Sequence, residues 1–202
     1  MMRVPAIDGR TARALRTREA IVDASIALVD EGDLRPTALR VAERAGVSVR
    51  SVFQHFDDLE GLYAAIANRW VERLDGLRVA VDPELPLDDR ITAFVQNRAR
   101  MLEAVTPIRR AAAVHAPFSE ELRRRLQIGH DLLRADIERV FADELARQEG
   151  DDRVRLLDAL DTLLSWPSWE NLRTVNARSE DRARAVLEFM VRAVLLPVTA
   201  RR

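Results

Sequence analysis

Residues 37–56 read as two short helices joined by a tight turn at Ala45-Gly46-Val47-Ser48, and the rest of the chain is read around them. Thr37 is a good N-cap because its hydroxyl accepts an orphan backbone N–H. Leu39, Val41, Ala42 and Ala45 recur at helical spacing and give the first helix a buried side. Gly46 suits the end of that helix, since it takes positive φ without a Cβ clash. Ser48 is a fresh N-cap, and Val52 and Phe56, at i and i+4, form the inner face of the second helix. Val49, Arg50, Phe53 and Gln54 then point outward. Two short helices around a glycine turn, the second showing basic and polar residues, form a helix-turn-helix arrangement suited to a DNA major groove. On spacing alone, an ordinary helical hairpin fits as well.

The flanking chain is helical too. Strand-type alternation is nearly absent, glycines number seven and prolines eight, and Ala, Leu and Arg dominate. With 48% hydrophobic and 32% charged residues, the 202-residue chain is neither disordered nor membranous. No apolar run approaches the roughly 18 residues of a membrane span, and the N-terminus lacks the apolar stretch of a secretory signal. Cysteine is absent, which excludes a disulfide framework and a thiolate zinc site and fits a cytoplasmic location.

Net charge is −1, but its distribution is uneven. Residues 1–18 carry Arg3, Arg10, Arg13, Arg16 and Arg18 against Asp8. Residues 34–55 carry Arg35, Arg40, Arg44 and Arg50 against Glu43. Basic clusters on a near-neutral chain are the electrostatic footprint of a site-specific DNA binder. All 32 basic residues are arginine, which has the look of a coding bias and lowers the weight of any single one.

Residues 1–16 read as a mobile arm, either touching phosphates and the minor groove or simply solvated. A helix is expected over 17–31, the helix pair over 38–44 and 48–54, and a longer helix over 59–81 through Leu62, Ala65, Ile66, Trp70, Leu74 and Leu77. Beyond Pro83 and Pro86 the spacing predicts a helix over 87–104 and a short one from Pro107 to His115. A long helix follows, from Ser119 to Glu149, with Leu122, Leu126, His130, Leu133 and Ile137 inward. A helix over 152–174 kinked at Pro167 and a last one from Ser179 to Leu196 complete the chain. The last helix is apolar on more than one face (Ala183, Val186, Leu187, Met190, Val191, Val194, Leu195, Val198), so one face is expected to meet a partner.

The head is similar to the DNA-binding domain of the tetracycline-repressor-like (TetR) family of transcriptional regulators. The residues that carry the resemblance are Thr17-Arg18, Ile21, Ala24, Gly32, Thr37, the run from Val41 to Ser48, Val52-Phe53, His55-Phe56 and Leu62. They span the first third of the chain in the right order without a gap. The resemblance implies an all-α fold of about nine helices. Residues 1–58 would be the arm and helix-turn-helix domain, and residues 59–202 a helical effector-binding and dimerisation domain.

Side-chain chemistry and the resemblance together assign roles in the second helix. Arg50 suits guanine O6 and N7, Gln54 suits adenine N6 and N7, and Val49 a thymine methyl. Ser48, Ser51 and His55 suit phosphate oxygens, and Thr37 lies where the family also meets the backbone. For His55 a half-buried place at the helix end fits as well. Phe53 stands where the family usually has Tyr, and Leu59 where it usually has Lys. Each departure removes a phosphate contact, and a lost cationic contact lowers the salt slope by roughly 0.9.

The resemblance further implies a homodimer through the last two helices on a palindromic double-stranded DNA operator. It also implies a cavity in the middle helices for a small-molecule effector. Trp70, Phe94, Met101, His115, Phe118, His130 and Trp166 are the candidate lining, though for any single one plain core is the simpler reading. Binding there would shift the helix from Leu59 and spoil the spacing of the two heads. Repression is the family default.

Two rival readings stand beside this one. An enzyme finds no Gly-rich phosphate loop or serine elbow, and His55, His115 and His130 show no i, i+4 pairing for a metal, so neither catalytic residue nor cofactor is expected. A dimeric helical ligand- or protein-binding module with a weakened DNA-binding head would account for Phe53 and Leu59.

Overall fold

The structure, a computed structural model, describes residues 9–56 and 59–199. Expectations resting on Arg3, on the side chains of Arg10 and Leu59, and on the side chain of Val198 lie outside the described residues. Ten α-helices and no strand occur among the described residues. They are α1 (Gly9–Asp30), α2 (Ala38–Ala45), α3 (Val49–His55), α4 (Leu59–Asp75), α5 (Leu87–His115), α6 (Glu120–Val140), α7 (Ala142–Ala146), α8 (Gly150–Leu163), α9 (Trp166–Glu170) and α10 (Glu180–Thr199). A 3-10 turn, Ala116–Phe118, precedes α6, and a π-helical turn, Asn171–Val175, follows α9. The all-α reading holds. No described helix is long and apolar enough to cross a membrane.

The chain divides into two compact units, Met1–Trp70 with Pro107–Arg125, and Val71–Thr106 with Leu126–Arg202. In the first, α1 packs against both α2 and α3, and α2 against α3. Ile21, Val22, Ser25, Leu28 and Val29 repeat at three and four residues and form the buried stripe of α1. Gly32, at φ 96°, turns the chain out of that helix. The residues 59–70 bury Leu62, Ile66 and Trp70 at i, i+4 spacing.

The second unit is built on an apolar cluster that joins Phe94, Val95 and Leu102 of α5, Ile137 and Val140 of α6, Phe141, Leu157 and Leu160 of α8 and Trp169 of α9. Ala183, Leu187, Val191 and Leu195 of α10, all fully buried at four-residue spacing, close it. Each such Leu or Val contributes about 1.5–3 kcal/mol of burial. One charged pair lies in this interior. Arg90 donates from Nη2 to Glu144 Oε1 at 2.7 Å and from Nη1 to the carbonyls of Val140 and Pro83, with both side chains buried.

Several expected boundaries are corrected. Helix α1 begins at Gly9, so residues 9–16 are helix and not arm; the Thr17 hydroxyl donates to the Arg13 carbonyl inside it at 3.1 Å instead of opening a helix. Leu39, expected on the buried side of α2, is 56% exposed, and Val41 and Ala42 carry the packing.

Helix α4 stops at Asp75. Past it the chain is pinned, because the Asn97 side-chain amide bonds both the N–H and the carbonyl of Val79 and Arg139 donates to the carbonyl of Val81. Helix α5 runs on through Pro107, with Met101 and Leu102 buried before it and Ala111 and Ala112 after it. The Thr106 hydroxyl donates to the Leu102 carbonyl at 2.7 Å one residue before the missing proline N–H.

The expected helix to Glu149 breaks at Phe141 (φ −109°, ψ 29°), which lets Phe141, Glu144 and Leu145 all turn inward. The expected helix over 152–174 is two helices. Ser165 caps α9 through the Ser168 N–H, and Pro167 sits in the first turn, where no helical N–H is needed. His130 is on the surface, 43% exposed, and not inward.

Candidate nucleic-acid interface

The turn between α2 and α3 is built by local chemistry. Thr37 Oγ1 accepts the Arg40 N–H at 3.3 Å and opens α2. Gly46, at φ 67°, ends it with its own N–H on the carbonyls of Ala42 and Glu43. Ser48 Oγ accepts the Ser51 N–H at 3.1 Å and opens α3 two residues later. Val52 and Phe56 are buried and seat α3 against the rest of the head.

That seating leaves one face of α3 in solvent. Arg50, Phe53 and Gln54 are exposed, Phe53 at 57%, while Val49, Ser51 and His55 are half-buried and Ser48 and Thr37 exposed. Thr37 and Ser48 spend an acceptor lone pair on the caps and keep their hydroxyl protons for donation outward. Arg50 makes no hydrogen bond or ion pair with the described residues, so its guanidinium fork is available to a ligand.

The arginines of the head are not equivalent, and residue counting did not separate them. Arg40 pairs with Asp33 and Arg44 with Glu31, both at the surface. The Arg44 guanidinium lowers the Glu31 carboxyl below its usual range, and Glu31 in turn raises Arg44. Arg18 is turned inward: it donates to the His55 carbonyl at 3.0 Å and lies 4.3 Å over the Phe56 ring. Arg13, Arg16 and Arg35 are exposed, and their guanidiniums make no hydrogen bond or ion pair among the described residues. Among the described residues of the head, Arg13, Arg16, Arg35 and Arg50 therefore carry unengaged guanidiniums. A signal for Arg18 was present in the sequence, since Thr17-Arg18 belongs to the matched pattern, but its bracing role needed coordinates.

The first unit also holds a polar chain that ends on the connection between α1 and α2. Tyr63 Oη is 3.1 Å from His115 Nδ1, and His115 Nε2 is 3.3 Å from the Leu34 carbonyl. A carbonyl only accepts, so His115 Nε2 carries a proton and donates it to Leu34. Burial, with the Glu60 charge, raises the Tyr63 pKa and keeps that hydroxyl a donor.

The seven candidate lining residues belong to both units, Trp70, His115 and Phe118 to the first and Phe94, Met101, His130 and Trp166 to the second. Trp70 is buried, and Phe118 is 86% exposed. Phe94 stacks edge-on against Phe141 at 5.2 Å in the second core, and Trp166 packs on the same core while donating to Thr106 Oγ1 at 3.2 Å. Met101 is buried, with the Asn97 amide 3.8 Å from its sulfur. His130 is held at the surface by Asp161 at 2.8 Å, and both ring nitrogens of His115 are already engaged. No group of His, Asp or Glu among the described residues is arranged to hold a metal ion.

Residues 21–66, which include the helix pair, match the family model described as bacterial regulatory proteins, tetR family. No curated protein matches the chain. Among solved structures, the fold is similar to a transcriptional regulator from Rhodococcus sp. Rha1, at TM-score 0.67 and 17% identity over 91% of this chain and 96% of that one. It is also similar to a protein from Mesorhizobium loti described as of the TetR family, at TM-score 0.67 and 21% identity over 92% and 98% of the two chains. A third is a TetR transcription regulator from Haloarcula marismortui, at TM-score 0.60 and 19% identity over 90% and 97%. These likenesses are of fold. The family model covers residues 21–66, so the likeness to the tetR family lies in the helix-turn-helix head, and the solved structures extend it to the fold of the whole chain.

Proposed function

We propose that the chain is a homodimeric, cytoplasmic repressor that holds a palindromic operator through two copies of α3 and is released by a small-molecule effector. The observation that carries the proposal is the exposed face of α3, with Arg50 unengaged on a helix fixed by Ser48, Val52 and Phe56. Arg50 and Gln54 read base edges and Val49 touches a thymine methyl. Thr37, Ser48, Ser51 and His55 position the backbone, and Phe53 contributes packing in place of a tyrosine hydroxyl.

The functional division we propose is residues 1–58 for DNA and 59–202 for effector and dimer. Two-fold pairing through the last helices fits the exposed Phe189 and Leu196 and half-buried Val186 of α10, an apolar surface beyond Met190 and Val194, which pack on its own core. Such pairing sets two recognition helices about 34 Å apart. The interior candidates Phe94, Met101 and Trp166 are the part of the expected lining we retain for an effector. We assign the chain binding and not catalysis.

A gel-shift assay against the DNA upstream of its own coding region tests the proposal, together with light scattering at micromolar concentration. A salt-sensitive shift and a mass of twice 22.9 kDa are expected. A dimer that shifts no DNA at low salt would favour a binding module with a lapsed head.

A further inference from the structure

We propose that Arg98 is the anchor of the effector site and that the effector is a small organic carboxylate with an apolar body. The inference rests on the effector reading above and names the ligand class it would take. Helix α5 places two arginines in the interior of the second unit, Arg90 at 5% exposure and Arg98 at 3%. Arg90 is paired with Glu144 and two carbonyls, with its Nε and Glu144 Oε2 buried without a partner. Arg98 has no counter-ion. It makes one hydrogen bond, from Nη2 to the Leu133 carbonyl at 2.9 Å, and lies 5.1 Å over the face of Phe94. No carboxylate stands within ion-pair distance of it among the described residues.

The carboxylates whose fields reach Arg98 are Asp136 and Asp161. Asp161 is held by His130 at 2.8 Å and Arg134 at 3.2 Å, and Asp136 by Arg78 at 2.9 Å and Arg139 at 3.4 Å. Both are already engaged by other side chains. Burial lowers the pKa of Arg98 to about 10, which still leaves it charged at neutral pH. A guanidinium on a side chain 3% exposed, with one hydrogen bond and no counter-ion, is a standing cost to the fold. It is also the geometry that takes a carboxylate bidentately. The neighbours on its own helix, Phe94 and the buried Met101, suit the apolar body of such a ligand and not a free inorganic anion.

The test is thermal shift of the full-length protein with octanoate, 1-octanol and octylamine, with operator release read separately by fluorescence anisotropy. Octanoate should raise the melting temperature and the other two should not. Arg98→Met and Arg98→Gln should weaken octanoate binding by roughly ten- to a hundredfold. Their own melting temperature should stay or rise, because a buried unpaired charge is removed; circular dichroism of both variants confirms folding. Equal shifts by octanoate and octanol, octanoate binding untouched by either variant, or no octanoate shift at all would overturn the proposal. Operator release by octanol that survives Arg98→Met would leave effector control standing while removing Arg98. Octanoate binding that depends on Arg98 without operator release would do the reverse.

Discussion

Arg18, on the first helix, donates to the carbonyl of His55, the last residue of the recognition helix, at 3.0 Å. The same guanidinium covers the Phe56 ring at 4.3 Å. A cation at a helix C-terminus satisfies an orphan carbonyl and opposes the negative end of the dipole. Helix α3 is seven residues long and makes few internal bonds, so an external brace at its end fixes its tilt.

Arg18→Ala should therefore destabilise the head by about 1–2 kcal/mol. DNA affinity should fall for every sequence alike, with base preference unchanged. Chemical denaturation and competition binding with mutated operators check the two halves. A change in base preference would mean that Arg18 reads DNA itself.

The unengaged and engaged arginines of the head should separate in salt dependence. Replacing Arg13, Arg16 or Arg35 by Ala should lower the slope of log K against log salt by roughly 0.9 for each true phosphate contact. Arg40→Ala and Arg44→Ala remove cations already paired with Asp33 and Glu31 and should change it less. Anisotropy titrations between 50 and about 200 mM salt cover the range where such slopes are read.

Gly46 stands at φ 67° with open space where a Cβ would be. Gly46→Ala therefore costs only the left-handed backbone, about 1–2 kcal/mol. The melting temperature should fall and the angle between α2 and α3 should hold, so DNA affinity measured well below melting should be little changed.

The Arg90–Glu144 pair gives a sharper stability test in the second unit. Glu144→Ala leaves a buried guanidinium without its counter-ion and should cost about 3–5 kcal/mol. The double variant Arg90→Met with Glu144→Leu should recover most of that loss, because replacing both charges with apolar volume removes the desolvation penalty. Urea unfolding of the single and double variants decides it.

What was legible in the sequence is what is decided locally. Thr37 and Ser48 as caps, Gly46 as the turn, and Val52 and Phe56 as the inner face all depend on neighbours within a few residues, and each is found as expected. The misplaced features depend on partners far along the chain. Pro107 reads in the sequence as the start of a separate short helix, yet burial on either side carries α5 through it. The sequence places Val81 at the end of a helix, whereas Asn97 and Arg139, on later helices, bond residues 79 and 81 outside any helix.

In the site, exposure of Arg50 and Gln54 followed from the i, i+4 pattern of their buried neighbours. The division of head arginines into paired, bracing and unengaged did not, because Asp33, Glu31 and the His55 carbonyl reach them only through the fold.

The most direct measurement is selection of bound duplexes from a random DNA pool by the intact protein and by Arg50→Ala. The account predicts a palindromic consensus with two half-sites for the intact protein, and loss of a guanine preference in each half-site for the variant. It also predicts a discrimination cost at that base of about 1–3 kcal/mol. An identical consensus for both proteins would remove Arg50 as the reading residue, and no enrichment from the pool at low salt would contradict the account as a whole.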